Sequence, residues 1–191
     1  MKNLCKRYLN LFIIFIFFVF SFLLCVNDEE FLKKNIDIIL KSEVKQSEKI
    51  EVYVHRVVDG DTVILNIDNK KESVRLIGLN TPEVKNVNDK VVECFGKEAG
   101  EEAKRILKQG QRVFVEYDES QSKRDKYDRL LAYVFLESGE NFAEIMIRNG
   151  YGYENTFKGL IYKYQKQFIE AQKYAQKNKL GLWADGVCFD I

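Results

Sequence analysis

Four short stretches carry side chains whose types and spacing could do chemistry together: VVDGDTV (Val57–Val63), RLIGLNTPE (Arg75–Glu83), ECFGKEA (Glu93–Ala99) and DKYDRLLAYV (Asp125–Val134). Arg75 and Arg129 are guanidinium forks, each able to grip a phosphate through two parallel hydrogen bonds. Glu83 is a carboxylate that can accept a proton from a water or orient it. Asp61, the amide oxygen of Asn80 and the backbone carbonyl of Thr81 are hard donors of the kind Ca²⁺ takes. Pro82, the chain's only proline, restricts Thr81 to an extended conformation and so fixes the direction of that carbonyl. Cations to bear the charge that builds on phosphorus, with an acceptor for the proton of an attacking water, are what phosphodiester hydrolysis requires. Each stretch alone has a plainer reading. Asp59-Gly60 is a common hairpin turn, Arg75 a solvated strand residue, Thr81-Pro82-Glu83 a loop entry, and Arg129 a surface partner for Asp125 or Asp128.

The elements that must position these groups follow from the change of hydrophobic period at Ile50. Ile50–Val58, Thr62–Ile67 and Ser73–Leu79 are rich in Val, Ile and Leu and are separated by Asp59-Gly60 and Asp68-Asn69, so three sequential antiparallel strands are expected. The polar, aperiodic Val84–Phe95 is long for a connection in a small domain, which favours a functional loop. Gly96–Gln109 has a helical apolar face (Ala99, Ala103, Ile106, Leu107) and a glycine stop at Gly110. Arg112–Tyr117 and Leu130–Leu136 read as two further strands around a second polar loop. Asn141-x-x-Glu144 opens a short helix that Gly150 stops. Ile161, Tyr164, Phe168, Ala171 and Ala175 mark a last amphipathic helix, with Tyr153 and Phe157 before it read as ordinary packing. The expected fold is α+β: a five-stranded OB-type barrel with a helix after the third strand and three helices in all. Strand two would then bring Asp61 to the same end of the barrel as Asn80 and Thr81.

Before Ile50 the chain is of a different kind. Lys2, Lys6 and Arg7 precede LFIIFIFFVFSFLLCV (Leu11–Val26), 16 residues without a charge. That is short against the ~17–25 residues that span a bilayer and fits the layout of a secretory signal. An uncleaved membrane anchor and lipid attachment at Cys25 are the other readings; all three imply export. Residues 1–26 are therefore assigned to a signal peptide or anchor, 27–48 to a charged spacer and 49–191 to the folded domain. The first 26 residues hold three of the 30 basic residues and none of the 29 acidic ones, so the remainder is net −2. Bulk charge of that sign excludes tight non-specific nucleic-acid binding, and any such contact must be a local basic patch. The single histidine, His55, sits in a strand-like run and leaves little room for Ser-His-Asp or Cys-His catalysis. With no C-x-x-C, a structural zinc site is not expected. In an exported domain Cys94 and Cys188 are the only pair left for a disulfide; two separate thiols are the alternative.

Taken in order and at this spacing, DGDT, R-L-x-x-x-N-T-P-E, F-G-x-E-A and D-K-Y-x-R-x-L-A-Y resemble the staphylococcal nuclease (thermonuclease) family over Lys49–Trp183. The resemblance implies catalytic positions at Arg75, Glu83 and Arg129, with the arginines holding the scissile phosphate and Glu83 acting as base. It implies calcium ligands at Asp61, Asn80 and Thr81, and nucleotide-phosphate contacts at Lys126 and Tyr127. It implies cleavage of DNA and RNA with little sequence preference, a preference for single strands, 3′-phosphate products, and bases stacking on aromatics such as Tyr127. Asn80 departs from the pattern, since the best-known member has aspartate there. Losing one formal charge at about 4 Å, with the amide dipole retained, weakens metal binding by roughly 1.5–3 kcal/mol, one to two decades of affinity. The expected protein is an exported, monomeric, calcium-dependent nuclease. A nuclease-type domain that binds nucleic acid or protein without cutting is the alternative, and a structural envelope module a third reading.

Overall fold

Hydrophobic alternation and turn chemistry set the barrel. In this computed structural model, residues 49–83 and 93–188 are described, with Lys33 standing alone before them. The apolar segment 1–26 with Cys25, the spacer apart from Lys33, and residues 84–92 of the first polar loop lie outside the described residues. β1 (Ile50–Val57), β2 (Thr62–Ile67) and β3 (Lys70–Leu76) form an antiparallel meander. β5 (Arg112–Glu116) and β6 (Leu130–Phe135) complete a closed five-stranded barrel in the order β1-β2-β3-β6-β5. Val52, Val54, Val63, Leu65, Val74, Val113, Val115 and Ala132 point inward and are almost fully buried, as the period-two pattern requires.

The β2–β3 turn is made by Asp68 and Asn69, both in the left-handed region (φ 49° and 61°), the conformation that suits a two-residue hairpin to the twist of its strands. The β1–β2 connection is longer than a two-residue turn, with Val58 and Asp59 N–H both directed at the Thr62 carbonyl. The meander also departs from expectation at its end. β3 stops at Leu76, and Leu79–Asn80 forms a separate short strand, β4, paired with β7 (Tyr153–Glu154). The Ser73–Leu79 run stays rich in Leu and Ile to its end, so periodicity alone does not reveal the break at Ile77-Gly78.

Three helices pack around the barrel, in agreement with the expected α+β class. α1 (Gly96–Ile106) is three residues shorter than its pattern predicts, ending where Leu107 leaves helical geometry. α2 (Phe142–Arg148) starts at Asn141, whose side-chain oxygen accepts the Ala143 N–H at 3.0 Å. α3 (Gln165–Lys177) buries Phe168, Ala171 and Ala175. It begins later than the sequence implies: Ile161 is exposed, while Tyr162, one residue on, is buried against Gly78. Glu116, almost completely buried at the end of β5, is held by Lys163 and by the Tyr164 hydroxyl (2.8 Å), which ties the approach to α3 to the barrel. Among the described residues no helix is long and apolar enough to cross a membrane.

Candidate active site

The barrel register carries Asp61, Arg75 and Arg129 to one end. Thr62 opens β2 and lies opposite Arg75 on β3, and Arg75 lies opposite Leu131 on β6, two residues beyond Arg129. The β1–β2 turn can pack against Thr81, just past β4, only because residue 60 is glycine: a Cβ there would fall 2.6 Å from the Thr81 side chain, closer than packed atoms come.

Arg75 is the hub. Its Nη2 contacts the Asp61 carboxylate at 2.9 Å and donates to Asn80 Oδ1 at 2.9 Å. Its Nη1 donates to the carbonyls of Leu79 (2.6 Å) and Leu76 (3.1 Å). Asp61 is buried, and its Oδ2 also accepts the Thr81 N–H at 3.1 Å. Asn80 Nδ2 donates to the Tyr153 hydroxyl at 2.8 Å, so the β4–β7 pairing sets the orientation of that amide. Thr62 bridges the two halves of the site: its hydroxyl donates to Asp61 Oδ1 at 3.0 Å and accepts from Arg129 Nη1 at 3.4 Å.

Arg129 is aimed by Asp125. One Asp125 oxygen accepts the backbone N–H groups of Tyr127 (2.9 Å) and Arg129 (3.0 Å), and the other accepts Arg129 Nε at 2.7 Å. The guanidinium tip is left pointing toward the Asp61 end of the barrel. Beside it, Tyr127 is 67 % exposed, with Arg129 Cζ 5.4 Å and Lys126 Nζ 4.8 Å from its ring centre. This is a local basic patch around an exposed ring, in a chain without a bulk positive charge.

Glu83 is exposed at the start of the first polar loop, with its N–H donated to Glu93 Oε2 at 2.9 Å. Partial burial and the negative charges of Asp59 and Glu93 push its carboxyl above the usual range, against the pull of Arg75 and Arg129. Burial raises the Asp61 carboxyl to about 6, Arg75 opposes the rise, and Asp59 adds to it. A buried carboxylate whose charge one arginine does not fully stabilise is a place where a cation binds with gain. The Asp61 and Asn80 oxygens bond the same guanidinium nitrogen at 2.9 Å each, so they are no more than about 6 Å apart, near the ~5 Å across a calcium coordination sphere. Among the described residues no three His, Cys, Asp or Glu side chains are grouped to hold a metal; a cation here would rest on one carboxylate and neutral oxygens.

The family model described as "Staphylococcal nuclease homologue" matches residues 73–185, more than half of the chain. The chain is a member of the staphylococcal nuclease family. It is 41 % identical over 132 residues to the thermonuclease of Staphylococcus hyicus, covering 69 % of this chain and 75 % of that one. It is 40 % identical over 134 residues to the thermonuclease of Staphylococcus intermedius, covering 68 % and 74 %. To endonuclease YncB of Bacillus subtilis it is 34 % identical over 145 residues, covering 73 % and 64 %.

In this staphylococcal nuclease homologue, Arg75, Asp61, Asn80 and Thr81 share direct bonds. Arg129 joins them through Thr62, and Lys126 and Tyr127 flank Arg129. Four participants have no site role in the sequence reading: Thr62, Glu93, Tyr153, read there as packing, and Asp125, read there only as a surface partner for Arg129. Asp125 had a signal, since an acid four residues before an arginine in a turn is placed to cap and hold it. Tyr153 had none, because its contact with Asn80 spans 73 residues. The packing role expected for Phe157 is not what the structure shows: that ring is 63 % exposed, on the 3₁₀ turn that follows β7.

Proposed function

We propose that this protein is a calcium-dependent nuclease that hydrolyses DNA and RNA with little sequence preference and leaves 3′-phosphate ends. The observation that carries this reading is the convergence of Arg75 and Arg129 on the buried Asp61, directly and through Thr62, with Asn80 and Thr81 bonded to the same cluster. The names of the relatives, thermonucleases and an endonuclease, support the nuclease class.

In this reading Arg75 and Arg129 approach the scissile phosphate with guanidinium N–H groups and stabilise the negative charge that grows on its oxygens. Glu83, exposed at the start of the first polar loop, takes a proton from the attacking water. The water oxygen bonds to phosphorus, the bond from phosphorus to the 5′-oxygen breaks, and that oxygen leaves as a hydroxyl once protonated. Asp61, the Asn80 amide oxygen and the Thr81 carbonyl would hold Ca²⁺, which when bound supplies positive charge next to the phosphate. Arg75 already bridges Asp61 and Asn80, so its side chain is the group that must share those oxygens with the cation. Lys126 and Tyr127 offer a second phosphate contact and an open ring on which an unpaired base can stack, which favours single strands.

The same reading makes the protein exported and monomeric. A Cys94–Cys188 bridge suits an oxidising compartment. The segment 1–26 or a lipid on Cys25 would hold it at the membrane. The chemistry is tested by end-labelling: fragments from a digested oligonucleotide should accept a 5′-phosphate from a kinase without prior phosphatase treatment. Fragments that already carry 5′-phosphates would place the broken bond on the other side of phosphorus and overturn the assignment.

A further inference from the structure

The residue proposed as base is held by its backbone rather than by its carboxylate. Glu83 N–H donates to Glu93 Oε2 at 2.9 Å, and the Glu83 carbonyl accepts the Glu93 N–H at 3.0 Å. Gly96 closes the same turn, its N–H bonding the Glu93 carbonyl at 3.0 Å, and a Cβ at Gly96 would lie 2.6 Å from the Glu83 carbonyl. Glu93 to Gly96 is thus a clamp around the Glu83 backbone. Little within the clamp keeps it shut. Glu93 and Cys94 are both exposed, and exposed hydrogen bonds open at low cost. Phe95, between Cys94 and Gly96, sits at φ 68°, a conformation that a non-glycine residue keeps only when its surroundings impose it.

The surroundings here include a covalent bond. Cys94 is joined to Cys188, with their Cα atoms 5.6 Å apart. Cys188 follows a turn in which Val187 N–H bonds the Ala184 carbonyl (3.2 Å), after the 3₁₀ turn Gly181–Trp183. That turn is seated by the buried Leu182, whose N–H bonds the Gly150 carbonyl at 2.9 Å. An unbroken line of contacts therefore runs from the core under α2, through the C-terminal turn and the disulfide, to Glu93 and the backbone of Glu83.

We infer that the Cys94–Cys188 disulfide and Glu93 are positioning elements for Glu83, so that cleavage by the folded protein depends on the oxidised state of this cysteine pair. The inference rests on the proposed nuclease reading, and goes beyond it by placing control of the base in a bond between cysteines 94 residues apart in sequence.

The test compares the full chain oxidised, the full chain reduced by a water-soluble phosphine, and the double variant Cys94→Ser/Cys188→Ser. In the reduction, the phosphine takes the oxygen of one water and becomes its oxide, and the two cysteines gain two electrons and the two protons. Glu93→Ala and Glu93→Gln are assayed with the disulfide intact. All are measured with saturating calcium, at a temperature where circular dichroism shows each one folded. Opening the clamp should lower kcat about ten- to hundredfold, the scale of a misplacement near 1 Å, and leave KM within about threefold. Glu93→Ala should show the same loss, and Glu93→Gln, which keeps an acceptor oxygen, should recover most of it. Hydrogen exchange at the Glu83 amide should quicken in the reduced and double-variant proteins. Unchanged kcat and unchanged Glu83 exchange in the folded, reduced protein would overturn the inference while the nuclease reading stands. An oxidised wild type that cuts nothing would remove both.

Discussion

Arg75 spends its guanidinium on four acceptors, two of which, Asp61 and Asn80, are the proposed calcium oxygens. The amide at residue 80 can therefore be read as a compromise: it offers an oxygen without a second negative charge, and its nitrogen is already satisfied by Tyr153. Restoring the charge by Asn80→Asp should raise calcium affinity by about 10- to 100-fold, measured by calorimetric titration without substrate, since the Tyr153 hydroxyl can turn to donate to the new carboxylate. An unchanged affinity would remove residue 80 from the ligand set. Asp125 has the opposite character, bearing no metal role and holding Arg129 by two hydrogen bonds while a third, from the Tyr127 N–H, fixes the turn between them. Asp125→Ala should lower the single-turnover cleavage rate about 10- to 100-fold, and Asp125→Asn, which keeps the backbone acceptor, should lose less. Equal rates in all three proteins would show that Arg129 needs no such support. At this scale the residue types were legible in the sequence, because phosphate chemistry demands them. So was Asp125 as a partner four residues from Arg129, whereas Thr62–Arg129 and Asn80–Tyr153 were not, because only the folded register creates those contacts.

The elements around the site are held by polar hubs as much as by the apolar core. Asp118, just past β5, accepts from Tyr133 (2.6 Å), from the Lys163 N–H (2.9 Å) and from the N–H and hydroxyl of Ser120 (2.9 and 2.7 Å). Burial pushes its carboxyl up, but those donors outweigh it and hold it below the usual 3.8. A lowered carboxyl stabilises the fold wherever it is ionised, so this contribution is present above pH 3.8 and is lost as the pH falls through the lowered value. Asp118→Asn should cost about 1–3 kcal/mol at pH 7, read from urea unfolding, and its deficit against wild type should shrink as the pH is taken below 3.8. A deficit independent of pH would assign the loss to packing. The sequence showed the five barrel strands and three helices because Val/Leu alternation and helical apolar faces are local signals. It concealed the break between β3 and β4 and the late start of α3. In both places the apolar run continues while the backbone turns to meet a distant partner, β7 in one case and Gly78 in the other.

On the scale of the whole molecule, a barrel end, the Asp125–Arg129 loop and the turn before α1 supply the residues of the candidate site. The meander supplies Asp61 and Arg75, the parallel closure of β3 on β6 brings in Arg129, and the turn before α1 sets Glu83. The closed barrel and the family followed from motif order. The tether from the C-terminus to the base did not, because a pair of cysteines announces a bond without saying what the bond holds. In the proposed mechanism this assembly cuts phosphodiester bonds with Glu83 as base. The most direct test is digestion of plasmid and heat-denatured DNA in millimolar Ca²⁺ and again in excess chelator, with wild type and Glu83→Gln side by side. The account predicts chelator-sensitive cutting, faster on denatured DNA, that Glu83→Gln slows by about 10²- to 10⁴-fold without loss of strand binding. Cutting that survives the chelator, or a Glu83→Gln protein that cuts like wild type, would contradict it. So would a wild type that binds single strands yet leaves them whole at every calcium level.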